Sequence, residues 1–295
     1  MSVTTKIEWC DSTVNPVMGC EGCELWNGQV QSCYAGVLHR RFGGSTTGYA
    51  PSFEEVTKFP GRMAEAARWR DLAMEKRPHK PWLDNQPRFI FISDMGDSLS
   101  SSVDFAYLEN EVINQVKSDS GRSHVWLWLT KRPQRMAEFS EHLQRRGIDW
   151  PHNLWPGTSL TTQKSLSRLS PLRDIGDRGN HRFLSVEPQV EHICLTNRLD
   201  GFSWVIQGGE SGVEARSFDI DWARSLRDEC HEAGAAYFLK QLGSRPTENG
   251  NPFPISRGHG NDWTEWPEDL QLREVPISPE MDIFDRLDTA SAIDC

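Results

Sequence analysis

Three cysteines crowd into the stretch GCEGCELWNGQVQSCYA, from Gly19 to Ala35, in a chain of 295 residues that holds only seven. In a reducing compartment a group of this kind binds metal or does chemistry rather than forming disulfides. Two chemistries suit it. A structural zinc site takes four ligands and closes around its ion. Cys10 offers the fourth, because it precedes Cys20 by the interval that separates Cys23 from Cys33. An iron–sulfur cubane held by Cys20, Cys23 and Cys33 alone leaves one iron without a protein ligand, free to hold a small molecule.

Either metal needs a scaffold to present it, and from residue 86 onward the sequence keeps one rhythm. A short apolar run ends in polar residues, and an amphipathic stretch follows. The runs are RFIFISD (Arg88–Asp94), HVWLWLTK (His124–Lys131), NLWPGTSL (Asn153–Leu160), RFLSVEP (Arg182–Pro188), SWVIQGGES (Ser203–Ser211) and AYFLKQLG (Ala236–Gly243). Helices are expected at Phe105–Lys117, Gln134–Arg146, Thr162–Arg173 and Trp222–Ala233. The last is the clearest, with Asp219 or Asp221 to cap it and Gly234 to end it. Apolar strands alternating with helices indicate a parallel sheet buried on both faces. Six such units, with KIEW as an extra strand, predict a full or partial parallel α/β barrel over 1–243, and a doubly wound open sheet is the alternative. The extension 244–295, rich in Gly, Pro and Asn up to its last residues from Pro279, is expected to pack as loops on the barrel.

Polar residues close these strands: Ser93 and Asp94, Thr130 and Lys131, Thr158 and Ser159, Glu187, Gln207 and Glu210, Lys240 and Gln241. In a parallel barrel that rim carries the active site. A single polar residue there is often only a helix cap; six strands doing it, with Glu and Lys among them, favour a site. Lys131 and Lys240 are the lysines at strand ends. Each suits a substrate carboxylate or phosphate, or proton donation, and each is equally suited to an ion pair with Glu187 or Glu210.

The net charge of −10 argues against a protein that coats nucleic acid through its overall charge. It leaves room for a local path, and the segment Gly61–Trp82 sets Arg62, Arg68, Arg70, Lys76, Arg77 and Lys80 around Trp69 and Trp82. The plainer reading of that segment is a solvated amphipathic helix. No apolar run approaches the length of a membrane span, and the N-terminus lacks the pattern of a signal peptide, so a cytoplasmic protein is expected.

The segments IEWCDSTVNPVMGC, SCYAG, FISDMGD, LWLTKRP, LWPGTSLTTQKSLSRL, RFLSVEP, WVIQGGESG and AYFLKQLG occur in this order between Lys6 and Gly243. Together they resemble a largely phage-encoded family, phage protein gp-thirty-seven/gp-sixty-eight, regarded as similar to radical S-adenosylmethionine (SAM) enzymes. The spacing here, Cys20-x2-Cys23-x9-Cys33, departs from that family's usual block and from the common radical SAM motif. The resemblance implies a barrel of the radical SAM type with a cluster loop at 19–35. It also implies a [4Fe-4S] cluster on Cys20, Cys23 and Cys33, with SAM on the open iron, and a host-cytoplasmic location. Tyr34 would then pack over cluster and adenine, unless it is a core aromatic. Asp94, Ser159 and Glu187 become candidates for SAM, and Lys131, Glu187 and Lys240 for catalysis. Glu210 closes a GGE triplet similar to one that holds the SAM amino group in such enzymes, but it lies on a late strand. The implied activity is modification of a nucleic-acid base or nucleotide, such as isomerising an amino-acid adduct on thymine, with electrons from a flavodoxin or ferredoxin. Cys10 would be dispensable. The competing classes are a zinc-stabilised barrel acting as hydrolase or nuclease, against which the nine histidines are scattered without an HExxH motif, and a non-catalytic binding module.

Overall fold

The computed structural model describes residues 1–44, 46–256 and 258–276. Its centre is a seven-stranded sheet whose strands we number β1 (Ser12–Val14), β2 (Arg88–Ile92), β3 (His124–Thr130), β4 (Leu154–Ser159), β5 (Phe183–Val186), β6 (Trp204–Gly208) and β7 (Ala236–Gln241). They pair in chain order and all in parallel, and no ladder joins β1 to β7 among the described residues. The result is a partial parallel barrel, as expected. The doubly wound alternative needs a reversal of strand order, which this sheet lacks.

Alternation along the strands builds two cores. Ile90, Ile92, Trp126, Trp128, Leu184 and Leu239 face outward to the helical layer. Phe89, Phe91, Val125, Leu127, Trp155, Phe183, Trp204, Ile206 and Phe238 fill the concave interior. The interior is aromatic because few side chains must fill a wide space. Trp9 completes it, with its ring centroid 4.6 Å from Phe91 and 6.1 Å from Phe183.

Trp9 also explains why KIEW is not a strand. Its residues run as a loop that drops Trp9 into the interior, and the parallel ladder begins at Ser12, opposite Ile90. Helices occupy Pro133–Arg145 and Ile220–Ala233, the latter capped by Asp219 and ended by Gly234 at φ 70°. The segment 105–116 is helical but passes through π-helical turns at Glu109–Ile113. The stretch expected as one helix from Thr162 is 3-10 over Gln163–Arg168 and α-helical only over Leu169–Arg173.

The basic segment is neither a long helix nor a free basic path. Its α-helix covers only Arg62–Ala67, a 3-10 turn follows at Pro81–Leu83, and the chain between them reaches the amino ends of the strands. Arg77 is buried, its guanidinium donating to Asp11 at 2.8 and 3.2 Å and to the carbonyls of Leu83, Gln86 and Pro87. Lys80 donates to the carbonyls of Thr5, Ile7 and Cys10. Buried backbone oxygens need donors, and long basic side chains supply them. Past β7, residues 258–276 return along the sheet edge, where Arg273 lies over the rings of Trp82, Trp263 and Trp266 and its pKa falls to about 10 through burial. The tail from Pro279 lies outside the described residues.

Candidate functional site

A cavity of about 420 Å³ opens at the carboxyl ends of the strands, within the size range of small-molecule sites. Its lining includes Cys20, Cys23, Cys33, Tyr34, Asp94, Lys131, Ser159, Glu187, Glu210 and Lys240. These candidates read from the sequence therefore border one space; Thr158 and Gln207, also expected at the rim, do not line it, and neither does Cys10. Cys10 is fully buried in the aromatic interior with Trp9 and Phe91, and burial pushes its thiol well up.

The cysteine loop crosses the cavity between two anchors. At its start, Gly19 (φ 88°) runs so close to Gly96 that a Cβ on Gly96 would lie 2.5 Å from the Gly19 carbonyl oxygen. At its end, Cys33 precedes helix α1 (Tyr34–Phe42) in extended conformation. Between them, Trp26 is buried against Phe53 and Gly36, where any side chain would strike its ring. Burial raises the Cys20 thiol to about 11 and also raises Cys33. Peptide N–H groups oppose this: Gly22 at Cys20, and Gly36 and Ala35 at Cys33, while Leu25 N–H donates to Cys23 Sγ at 3.4 Å. Each sulfur thus has a backbone donor, which is the environment thiolate ligands use.

Cys20 and Cys33 each sense the charge of Cys23, so both lie near it. Among the described residues, no three of His, Cys, Asp and Glu already converge on an ion position. The three thiols border one cavity, and a three-thiolate group would have to draw them together and displace thiol protons as it binds. The donor set does not fit a four-cysteine zinc site, whose fourth sulfur is sealed in the interior.

Acidic residues on the loop fasten it to the strand ends. Glu24 accepts from Lys131 at 3.3 Å, from Thr161 at 3.0 Å and from Arg168 at 2.8 and 3.0 Å. Burial works against its charge, but Arg168 and Lys131 outweigh it and hold the carboxyl far below the usual range. Glu21 accepts from Ser101 and Ser102. Lys131 therefore pairs with the loop, not with Glu187 or Glu210.

Glu187 instead pairs with Lys240 at 2.8 Å. Burial disfavours the lysine's charge, yet Glu187 raises its pKa on balance. The pair reaches over the end of β6 because Gly208 has no side chain; a Cβ there would sit 2.7 Å from Glu187 Oε1. Glu210 is gripped by Arg216 through its peptide N–H at 2.9 Å and its guanidinium at 2.7 and 2.8 Å. The GGE triplet fastens a loop: Gly209 N donates to Gln241 O, Ser244 N donates to Glu210 O, and a Cβ on Gly209 would meet Leu242 O at 2.3 Å.

Asp94 accepts from Asn15, while burial pushes its carboxyl up against that bond. Beside it, Ser93 adopts φ 74°, and its buried hydroxyl has no partner among the described residues although it borders the cavity. A strained non-glycine residue with an unsatisfied polar atom is a mark of a ligand site. Ser159 is buried in the wall. Tyr34 is 56% exposed at the mouth, so it is not a core aromatic. Sequence reasoning passed over Asp97, Arg132 and Glu24. Asp97 is buried and accepts from Thr130 Oγ1 (2.9 Å), Leu99 N (3.0 Å), Lys131 N (3.2 Å) and Arg132 Nη1 (3.1 Å). The DMGD and TKRP segments contain Asp97 and Arg132, but no spacing rule marks either.

Among the described residues no helix is long and apolar enough to cross a membrane. A family model described as "Protein of unknown function (DUF5131)" matches residues 4–274. No curated protein and no solved structure matches the chain.

Proposed function

The chain belongs to the DUF5131 family, and we propose from that premise and from the cavity that it is an enzyme of the radical SAM type. The observation that supports this reading is the convergence of Cys20, Cys23 and Cys33, without Cys10, on a cavity bordered by the polar ends of β2 to β7. The three thiolates would hold a [4Fe-4S] cluster, with SAM bound beside it in the same cavity. Together these supply one-electron cleavage of a carbon–sulfur bond and hydrogen abstraction from an unactivated carbon. The protein's part is to bind, orient and exclude water. Ser93 Oγ and Asp94 offer a free hydroxyl and a buried carboxyl on one wall, suited to an ammonium or ribose hydroxyl. Trp9, Phe91 and Leu129 form an apolar floor that keeps water from a reactive carbon. Lys240 and Glu187 can hold a polar substrate group or pass a proton at Nζ and Oε1. Nucleic acid or a nucleotide as substrate, isomerisation as outcome, and a flavodoxin or ferredoxin as electron donor belong to this reading through the family resemblance alone.

The test is to isolate the protein without oxygen, reconstitute it with iron and sulfide, and add SAM with a strong reductant. A brown protein with about four irons per chain that releases 5′-deoxyadenosine and methionine supports the proposal. A colourless protein that takes up one zinc and no iron overturns it.

A further inference from the structure

Arg132 follows the end of β3 and turns its side chain back across the cavity wall. Its Nη1 donates to Asp97 Oδ2 at 3.1 Å and lies 4.0 Å from Cys20 Sγ, and its Nη2 donates to the Gly22 carbonyl at 3.2 Å. Glu21 Oε2 stands 3.6 Å from Nη2. Asp97 is itself fixed by Thr130 and by the peptide N–H groups of Leu99 and Lys131, so the guanidinium has little freedom to leave. Cys23 and Cys33 have peptide donors, Cys33 also feels the charge of Lys131, and among the described residues no other cationic side chain is hydrogen-bonded to a cysteine sulfur. The three thiols are therefore not electrically equivalent.

We infer that Arg132 is a positioning residue for the Cys20 sulfur, held by the buried Asp97, and that this pair sets the reduction potential of the group the cysteines hold. The inference rests on the reading of Cys20, Cys23 and Cys33 as cluster ligands. Its physical basis is the long reach of charge in a poorly screened interior. Adding an electron to a cluster is eased by a nearby positive charge and opposed by a negative one, and here the two partners of one ion pair stand on the same side of one ligand. Removing either partner exposes the other, so the two removals must act in opposite directions. A role limited to holding the loop would give both the same effect.

The experiment is a potentiometric titration, followed by electron paramagnetic resonance, of the reconstituted wild type and of Arg132→Gln, Asp97→Asn, the double variant and Arg132→Lys. Arg132→Gln is expected to move the potential to more negative values and Asp97→Asn to more positive ones. The double variant should return towards wild type, and Arg132→Lys should stay close to it. Iron-loaded Arg132→Gln and Asp97→Asn proteins whose potentials shift in the same direction, or not at all, overturn the inference. Loss of iron in Arg132→Lys as well as in Arg132→Gln also overturns it, because the charge is then not what matters. A wild type that forms no cluster sinks the underlying reading instead, so the two failures are distinct.

Discussion

An arginine meets a buried aspartate at each end of the barrel. At the amino ends of the strands, Arg77 meets Asp11, and its remaining donors go to the carbonyls of Leu83, Gln86 and Pro87. Asp11 in turn takes the peptide N–H of Phe89. Everything that pair touches is backbone or its own partner. At the carboxyl ends, Arg132 meets Asp97, but its other contacts are the cysteine loop and a sulfur. The same residue types thus close one end and furnish the other. What separates them is where the leftover valences point. Around Arg77 they are satisfied by the fold, whereas around the cavity Ser93 Oγ lacks a partner among the described residues and the Lys240–Glu187 pair faces open space. Buried ion pairs stabilise folds weakly, so a pair kept beside a cavity is better explained by what enters the cavity.

The sharpest way to break this comparison is through the cysteines, because they divide between the two ends. Cys10 sits under the closed end, with its carbonyl accepting from Lys80. The other three border the cavity. Cys20→Ala, Cys23→Ala and Cys33→Ala are each expected to abolish iron binding and SAM cleavage. Cys10→Ala should keep both and lose about 1 kcal/mol of stability as a small core truncation. Iron analysis and product chromatography check this. Equal metal loss in Cys10→Ala would remove the distinction between the two ends.

Next in size is the closed end itself. Arg77→Ala leaves Asp11 buried without its partner, and a loss of 3–5 kcal/mol is typical for that kind of change, on the order of several degrees in melting temperature. Urea unfolding should show it, while the iron content of the folded protein stays at the wild-type level. The exposed Arg68 and Arg70 of the same segment should be neutral when reversed. A stable Arg77→Ala protein with impaired chemistry would mean that the closed end has been misjudged.

These contrasts also mark what the sequence made legible. Strands β2 to β7 were readable because each is a continuous apolar run that stops at a polar residue, and in a parallel sheet that stop is the rim. The convergence of Asp94, Lys131, Glu187 and Lys240 followed from the same geometry. β1 was not readable: Ser12–Val14 is three residues long and has no pattern beyond its neighbours. Arg77 and Lys80 misled because composition records a charge but not whether a carbonyl lies within its reach. Asp97, Arg132 and Glu24 escaped for a related reason. Each acts through a partner distant in sequence (Asp97 with Arg132, Glu24 with Arg168), and only folding brings those partners together.

A third contrast lies within the cavity. Lys131 holds the cysteine loop through Glu24, while Lys240 pairs with Glu187 on the strands alone. Lys240→Met should therefore spare iron content and SAM cleavage but impair turnover of the substrate. Loss of one charge-assisted hydrogen bond is worth about 1.5–3 kcal/mol, or roughly ten- to more than hundredfold in rate or affinity. Single-turnover assays that separate SAM cleavage from product formation decide it. Normal product formation in Lys240→Met would return this lysine to a purely structural role.

The smallest expected effect concerns the loop's fastening and its dependence on pH. Glu24 stays charged far below the usual carboxylate range because Arg168 and Lys131 outweigh the unfavourable effect of burying it. A carboxyl whose pKa is depressed by folding contributes stability that is fully present above its unfolded value, about 4.3, and is lost as pH falls towards its folded value. Glu24→Gln removes that contribution while keeping the side chain's shape. Its side chain is 33% exposed, so the gain is screened by solvent and an effect of about 1 kcal/mol is the right scale. The stability gap between wild type and Glu24→Gln, measured by urea unfolding, should be constant from pH 7 to about pH 5 and should shrink below about pH 4.3. Other carboxylates titrate in both proteins and drop out of the difference. A gap that persists unchanged into acid would show that Glu24 acts by shape and hydrogen bonding, and that the loop is fastened by something other than its charge.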